Sequence, residues 1–168
     1  MFGLFARVRK IADLKADSEV IVQGKLVADK LTTVPGTDIR CAFFWMMTEI
    51  WDRITPGRGR KMWIPQESRQ GTSGFYLDDG TGRVWISAEP LKTELRGGWS
   101  DGGPVGKKGT ARYLARTLKE GDTVRATGTV TGAKSHEPGT VMVLRPGKKG
   151  WIILDQKKKS SGSPAAER

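Results

Sequence analysis

Apolar and polar residues alternate along much of this chain, which is the pattern of β-strands that bury one face. The alternation is clearest from Glu19 to Val27 and from Thr123 to Thr131. Shorter segments with strand character are Lys61–Ile64, Phe75–Leu77, Arg83–Ile86, Val141–Leu144 and Trp151–Leu154. The pattern therefore predicts an all-β fold, or a β-rich α+β fold.

Two of these strands share a motif in which every second residue is, in order, apolar, apolar, glycine and apolar. Val20-x-Val22-x-Gly24-x-Leu26 is repeated as Val124-x-Ala126-x-Gly128-x-Val130. Glycine inside a strand marks a bulge or a sharp bend at a barrel corner. Because strongly bent strands build small closed barrels, we predict one elaborated OB-like small barrel rather than two domains.

The segment from Ile39 to Ile50 is the most apolar of the chain. Its alternation divides the apolar side chains between two faces of a long strand. One face carries Ile39, Cys41, Phe43, Trp45 and Met47, and the other carries Ala42, Phe44, Met46 and Ile50. Two apolar faces predict that this strand is buried on both sides.

Glycine, proline and aspartate mark the connections. Asp78-Asp79-Gly80-Thr81-Gly82 predicts a hairpin turn, and residues 55–61 predict a basic loop. Trp99 to Gly109 is glycine-rich and predicts a mobile loop, whereas Arg112 to Leu118 predicts one or two helical turns.

The chain begins with apolar residues at helical spacing. Met1, Leu4, Phe5, Val8, Ile11 and Ala12 recur with Arg7, Arg9 and Lys10 between them. We predict a short amphipathic helix over residues 1–14, which either packs on the domain or lies on a membrane surface. Residues 15–156 then form a single β-domain, and residues 157–168 form a basic disordered tail.

The formal charge of +11 and the isoelectric point near 10 favour an anionic partner. Nucleic acid, an anionic membrane surface and an acidic protein all fit, and a solubilising role is the alternative. The candidate contacts are Arg7, Arg9, Lys10, Arg58, Arg60, Lys61, Lys148, Lys149, Lys157, Lys158 and Lys159.

Residues for metal or nucleophile chemistry are few. Cys41 is the only cysteine and His136 the only histidine, so a zinc site built from such ligands is excluded, as is an intrachain disulfide. His136 is expected in a turn, Cys41 as a small buried hydrophobe, and Asp78 and Asp79 as turn-forming carboxylates. We therefore predict a non-enzymatic module without a cofactor.

Nothing in the sequence directs the chain out of the cytoplasm. No apolar run approaches the roughly 18 residues of a membrane-spanning helix. Arg7, Arg9 and Lys10 interrupt what would be the apolar core of a signal peptide. The expected location is cytoplasmic, with peripheral membrane contact as an addition that the basic residues would allow.

The order of these motifs resembles the GIDE domain family, the membrane-associated β-domain of mitochondrial RING-type ubiquitin ligases, which also occurs in prokaryotes. The similarity covers roughly residues 10 to 156. It is carried by Ile11-Ala12-Asp13-Leu14, Val22-x-Gly24-x-Leu26, Leu31, Pro35-Gly36-Thr37, Cys41, Phe75-x-Leu77-x-Asp79-x-Thr81-Gly82-x-Val84-x-Ile86, Leu118-x-x-Gly121-Asp122-x-Val124-x-x-x-Gly128 and Ile152-Ile153-Leu154.

The resemblance implies a membrane-proximal platform for protein interactions. In that family, ligase activity belongs to a RING domain with eight cysteine and histidine zinc ligands, and this sequence contains no such set. Family members usually carry flanking transmembrane helices, which are not expected here. Ligase activity is therefore not expected either.

Two functions of different classes follow. The first is a GIDE-like scaffold that binds a protein partner, either in solution or at an anionic membrane. The second is an OB-like binder of single-stranded nucleic acid, because Arg58, Arg60 and Lys61 lie near Trp51 and Trp63. In the second case the tryptophans would stack on bases, and otherwise they would fill the core.

Overall fold

The computed structural model describes residues 7–55, 57–87, 93–96, 106–132, 142–148, 150 and 152–157, with the backbone alone over residues 106–108. Within these ranges the chain is all-β and contains no α-helix. The elements are β1 (Val8–Arg9), a 3₁₀ turn (Ile11–Asp13), β2 (Glu19–Val27), β3 (Thr32–Thr33), β4 (Arg40–Cys41), β5 (Phe43–Thr55), β6 (Arg58–Thr72), β7 (Phe75–Asp78), β8 (Arg83–Ile86), β9 (Thr93–Arg96), β10 (Gly106–Lys108), β11 (Ala111–Leu118), β12 (Thr123–Thr131), β13 (Val143–Arg145) and β14 (Ile152–Gln156).

Five strands close into a barrel. β2 pairs antiparallel with β7 and β7 with β8, while β8 pairs parallel with β13. β13 pairs antiparallel with β12, which returns to pair antiparallel with β2 and closes the ring. A closed five-stranded barrel connected in this order confirms the predicted OB-like small barrel.

Period-two burial fills the barrel, as the alternation predicts. Along β12 every second side chain is buried, and those in between are only partly buried. Val22, Leu26, Phe75, Leu77 and Ile152 are fully buried members of one core cluster. Each such side chain contributes roughly 1.5–3 kcal/mol when removed from water, so the barrel core is the main source of stability.

The two glycine motifs turn out to be neighbours. In the β2–β12 ladder, Gly24 lies opposite Val124 and Gly128 lies opposite Val20. A Cβ atom on Gly24 would lie 2.6 Å from the carbonyl oxygen of Asp78, and one on Gly128 would collide with the carbonyl of Arg145. The glycines therefore let a neighbouring strand approach closely, whereas the β2–β12 register continues through both of them without a bulge.

The predicted helix over residues 1–14 needs correction. Its first six residues lie outside the described ranges, and the remainder is not α-helical. Val8–Arg9 pairs parallel with β2, and Ile11–Asp13 forms only a 3₁₀ turn. Backbone hydrogen bonds explain the difference: the β2 edge pairs with Val8–Arg9, and the Ile11 N–H donates to Asp79 Oδ2 at 2.8 Å. Ile11 and Leu14 are buried in the barrel core.

A second sheet of order β10-β11-β5-β6 extends the barrel. The predicted helical turns from Arg112 to Leu118 are wrong, because this segment is strand β11. Its 8 residues pair in register with β5, from Ala111 opposite Ile50 to Leu118 opposite Phe43. The exposed edge of β5 supplies the backbone partners that a helix would otherwise find within itself.

Strand β5 is buried on both faces over its first half, as predicted. Phe43 belongs to the barrel core, whereas Phe44 and Met46 belong to a second cluster with Val34 and Ala115. The predicted sides of Cys41 and Ala42 are wrong: Cys41 packs in the second cluster and Ala42 in the first. The chain bends at Ala42 between β4 and β5, so the alternation restarts there.

The connections match the sequence in part. Asp78–Gly82 is the predicted hairpin turn, with Gly80 at φ +83°. The predicted basic loop over residues 55–61 is wrong, because β5 continues to Thr55 and β6 begins at Arg58. Of the predicted glycine-rich loop, residues 99–105 lie outside the described ranges and Gly106–Lys108 forms strand β10.

Candidate functional site

The β5–β6 hairpin lies in the chain between barrel strands β2 and β7. It therefore extends from the barrel at the Phe75 end of β7. Its strands of 13 and 15 residues extend well past the core. We call residues 51–55 and 57–63 the hairpin tip. Three of the five exposed large hydrophobic side chains in the described part of the chain lie here: Trp51, Ile54 and Met62, which are 40%, 74% and 46% exposed.

One face of the tip is aromatic and basic. Trp51 lies directly opposite Trp63, and their ring centroids are 5.4 Å apart at an interplanar angle of 55°. The next pair on this face, two residues towards the turn, is Arg53 opposite Lys61. The register thus places two cations beside the indole pair.

Arg112 on β11, the strand that pairs with β5, contacts this face at Trp63. Its guanidinium carbon lies 4.2 Å from the centroid of the Trp63 ring, and its Nε lies 2.6 Å from Glu49 Oε2. Glu49 is only 7% exposed, so Arg112 neutralises a carboxylate that would otherwise be buried alone. The contact orients Trp63, which leaves Trp51 as the more exposed indole of the pair.

A slot of about 260 Å³ opens beside the indole pair. It is lined by Trp51 and Trp63 on the hairpin and by Gly109 and Thr110, which connect β10 to β11. The backbone N–H of Trp51 donates a hydrogen bond to the backbone carbonyl of Thr110 at 2.7 Å, which holds this turn against the hairpin. Because the two indoles are tilted by 55°, one of them at a time can offer its flat face to a planar ring.

The tip is strongly cationic. Between Trp51 and Trp63 the chain carries Arg53, Arg58, Arg60 and Lys61 against a single acid, Asp52, for a net charge of +3. Asp52 lies opposite Met62 and therefore on the other face from the indoles. The aromatic face thus carries cations without a carboxylate of its own beyond the one that Arg112 neutralises.

The remaining predicted basic contacts lie elsewhere. Arg7, Arg9 and Lys10 precede the 3₁₀ turn, which packs against the Asp79–Gly82 turn at the opposite end of β7 from the hairpin. Lys148 is exposed in the turn after β13, and Lys157 forms an ion pair with Asp155 at 2.9 Å. Lys149, Lys158 and Lys159 lie outside the described residues. Of the predicted set, the structure therefore brings together Arg58, Arg60 and Lys61.

A second cavity, of about 430 Å³, lies between β9 and the hairpin base and is lined by Trp45, Gln70, Leu95 and Arg116, among others. Arg116 Nη1 donates to the Leu95 carbonyl at 2.8 Å, and its guanidinium lies 5.5 Å from the centroid of the Trp45 ring. Burial lowers the pKa of Arg116. These contacts join β9 to the second sheet, which gives Arg116 a structural role.

Two titratable residues singled out in the sequence, Cys41 and Asp78, lie in the core and in a turn. Burial raises the pKa of the Cys41 thiol to about 11, and the charge of Lys119 offsets this only in part. Asp78 Oδ1 accepts the Gly80 N–H at 2.8 Å, the predicted turn-forming bond. His136 lies outside the described residues, within which no group of three or more His, Cys, Asp or Glu side chains could hold a metal ion.

Sequence reasoning identified the tryptophans and three of the cations but missed Arg53, Glu49 and Arg112. The alternation from Trp51 to Arg53 is visible in the sequence and would have placed Arg53 on the tryptophan face. No local signal could have found Arg112, which is 63 residues from Glu49 and reaches it only through the pairing of β11 with β5.

No family model matches the chain, and neither a curated protein nor a solved structure matches it. The resemblance to the GIDE domain family therefore stays a prediction. Among the described residues, no helix is long and apolar enough to cross a membrane.

Proposed function

We propose that this chain is a non-catalytic binding module whose OB-like barrel presents the hairpin tip to single-stranded nucleic acid. The observation that carries the proposal is the Trp51–Trp63 pair, in which Trp51 is exposed, with Arg53 and Lys61 beside it on one face. Proteins that hold single strands without sequence preference combine aromatic stacking with cations that follow the phosphate backbone. Small barrels of this class also bind oligonucleotides through the connection between their first two strands, and here that connection contains the hairpin.

The test is fluorescence anisotropy with a labelled oligothymidylate of about 16 nucleotides, the upper end of the site size of one such barrel. If the four tip cations contact phosphates, the slope of log affinity against log salt should be about −3. Affinity should then fall about 50-fold between about 50 and 200 mM salt. Absent or salt-independent binding would contradict the proposal.

A matched pair of triple variants separates a specific site from general attraction to a basic protein. Arg58→Gln, Arg60→Gln and Lys61→Gln remove three charges from the tip, and the salt slope should shrink to about −1. Arg7→Gln, Arg9→Gln and Lys10→Gln remove the same charge from the other end of the barrel and should leave the slope near −3. Equal losses in the two variants would argue against a site at the tip.

The second proposed function is the protein scaffold that the GIDE resemblance implies. It is favoured by Ile54 and Met62, whose exposed aliphatic side chains at the tip suit a protein surface. Ile54→Ser with Met62→Ser should abolish binding of such a partner and leave oligonucleotide affinity unchanged. An oligonucleotide affinity lowered by this double variant would instead assign both side chains to the nucleic-acid site.

An anionic membrane is the least favoured partner of the tip. Asp52 lies opposite Met62, so a carboxylate interrupts the aliphatic side that would have to enter the lipid. Co-sedimentation with phosphatidylserine vesicles at low salt tests this directly. We expect little pelleting, and pelleting that the tip triple variant abolishes would reverse this order of preference.

A further inference from the structure

The slot beside the indole pair has the dimensions and lining of a site for one base. We propose that a single unpaired nucleobase enters between the Trp51–Trp63 pair and the Gly109–Thr110 turn and stacks on Trp51, an inference that rests on the proposed nucleic-acid function. Pockets for drug-sized ligands span about 300–1,000 Å³. At about 260 Å³ the slot is slightly smaller and suits one planar ring system.

Its lining favours stacking. Trp51 is 40% exposed and presents an indole on the open side of the pair, whereas Trp63 is half-buried beneath the Arg112 guanidinium. Since Arg112 is held by Glu49 at 2.6 Å, Trp63 has a fixed orientation and supports Trp51 from behind. The platform is therefore arranged before a ligand arrives, which reduces the entropy lost on binding.

Gly109 and Thr110 line the side of the slot that faces away from the indoles. Gly109 has φ +59° and no side chain to occupy the space. The backbone carbonyl of Thr110 already accepts a hydrogen bond from the backbone N–H of Trp51. Among the lining residues whose side chains the structure describes, none carries a charge or an amide that could read the edge of a base. We therefore expect the site to accept any base, with affinity set by stacking strength.

The cations beside the slot complete the nucleotide site. Arg53 and Lys61 follow the indole pair by two residues on the same face, a distance of about 7 Å along the strands. This places their charged groups within reach of the phosphates that adjoin a stacked base. The other face of the tip, with Asp52 and Met62, offers no such combination.

The experiment compares Trp51→Ala and Trp51→Phe with the wild-type chain, using the labelled oligothymidylate and the same strand made with abasic sites throughout. Trp51→Ala should weaken binding of the intact strand by roughly 5- to 150-fold, the range for one stacked base. Trp51→Phe keeps an aromatic face and should retain most of the affinity. Leu31→Ala, at an equally exposed side chain outside the hairpin, should change nothing.

The abasic strand makes the interpretation specific to stacking. It should bind the wild-type chain about as weakly as the intact strand binds Trp51→Ala, and the alanine variant should not weaken it further. Thermal unfolding of each variant confirms that the fold is retained, and Trp51→Phe keeps the test valid should Trp51→Ala unfold.

Two other results have distinct meanings. Equal affinity of the wild-type chain and both Trp51 variants for the intact strand, together with an unchanged affinity for the abasic strand, would overturn the base slot and leave a site that binds the backbone alone. No binding of either strand by the wild-type chain would overturn the proposed function and the slot together.

Discussion

The guanidinium of Arg112 lies over the indole of Trp63 at 4.2 Å from the ring centroid, within the range of a cation–π contact. Arg112 lies on β11 and Trp63 on β6, two strands of the second sheet. Glu49 on β5, the strand between them, accepts a hydrogen bond from the Arg112 guanidinium. The rigidity of the hairpin tip therefore depends on a charge pair outside the tip itself.

Glu49→Gln should destabilise the fold by about 1–3 kcal/mol, because it leaves the half-buried Arg112 charge without its counterion. Urea unfolding followed by circular dichroism measures this. Glu67→Gln is the matched control, since the Glu67–Arg69 pair is exposed and should cost less than about 1 kcal/mol. Equal effects of the two substitutions would show that the Glu49 pair contributes no more than a surface contact.

Gly24→Ala should destabilise the barrel by about 1–3 kcal/mol, the usual cost of overpacking. The added Cβ would lie 2.6 Å from the Asp78 carbonyl oxygen, so β2 and β7 would have to separate. Gly132→Ala provides the control, because no described residue has an atom within 4 Å of its Cβ position. It should change the free energy of unfolding by less than about 0.5 kcal/mol. A Gly24→Ala protein as stable as the wild type would mean that the strands do not cross closely at this point.

Asp79 should make stability depend on acidic pH. Partial burial acts to raise its pKa, but hydrogen bonds from Thr81, Ile11 and Gly82 outweigh this, and the pKa lies below its ordinary value. A carboxyl group of this kind stabilises the fold above its unfolded pKa of about 3.9, and the contribution is lost as the pH falls through the lower folded pKa.

Asp79→Asn should therefore cost about 1–2 kcal/mol near neutral pH and reduce the loss of stability below about pH 4. Chemical unfolding at a series of pH values measures both effects. Asp29→Asn removes an exposed carboxylate and serves as the control. A wild-type pH profile that Asp79→Asn leaves unchanged would contradict the assigned role of the hydrogen bonds.

Cys41 should be unreactive in the folded protein. Its side chain is fully buried and its pKa is raised to about 11, so almost no thiolate is present near pH 8. A disulfide-exchange reagent should label one thiol per chain in urea and almost none under native conditions. Rapid native labelling would show that the second core cluster opens readily.

The sequence could predict a large part of the fold because period-two burial is a local signal. Residue type and spacing predicted the strands around Val22 and Val124, the Asp79–Gly80 turn and the buried faces of β5. The close approach of another strand at Gly24 follows from the same pattern, since a glycine inside a strand often marks such an approach.

The two segments that were predicted as helical and are strands have backbone partners that are distant in the chain. Val8–Arg9 and Ala111–Leu118 have sequences compatible with a helix, but each meets an unpaired strand edge, and pairing with that edge decides its conformation. Neither edge can be located before the barrel is closed.

The candidate site divides in the same way. The sequence by itself determined a β-rich chain with a barrel core, a basic aromatic segment from Trp51 to Trp63, and only one cysteine and one histidine. Tertiary structure alone decided that Trp51 and Trp63 share a face, that Arg112 and Glu49 support them, and that Arg7, Arg9 and Lys10 lie at the other end of the barrel. The physical reason is that strand register, which fixes the facing of every side chain, is set by long-range hydrogen bonding.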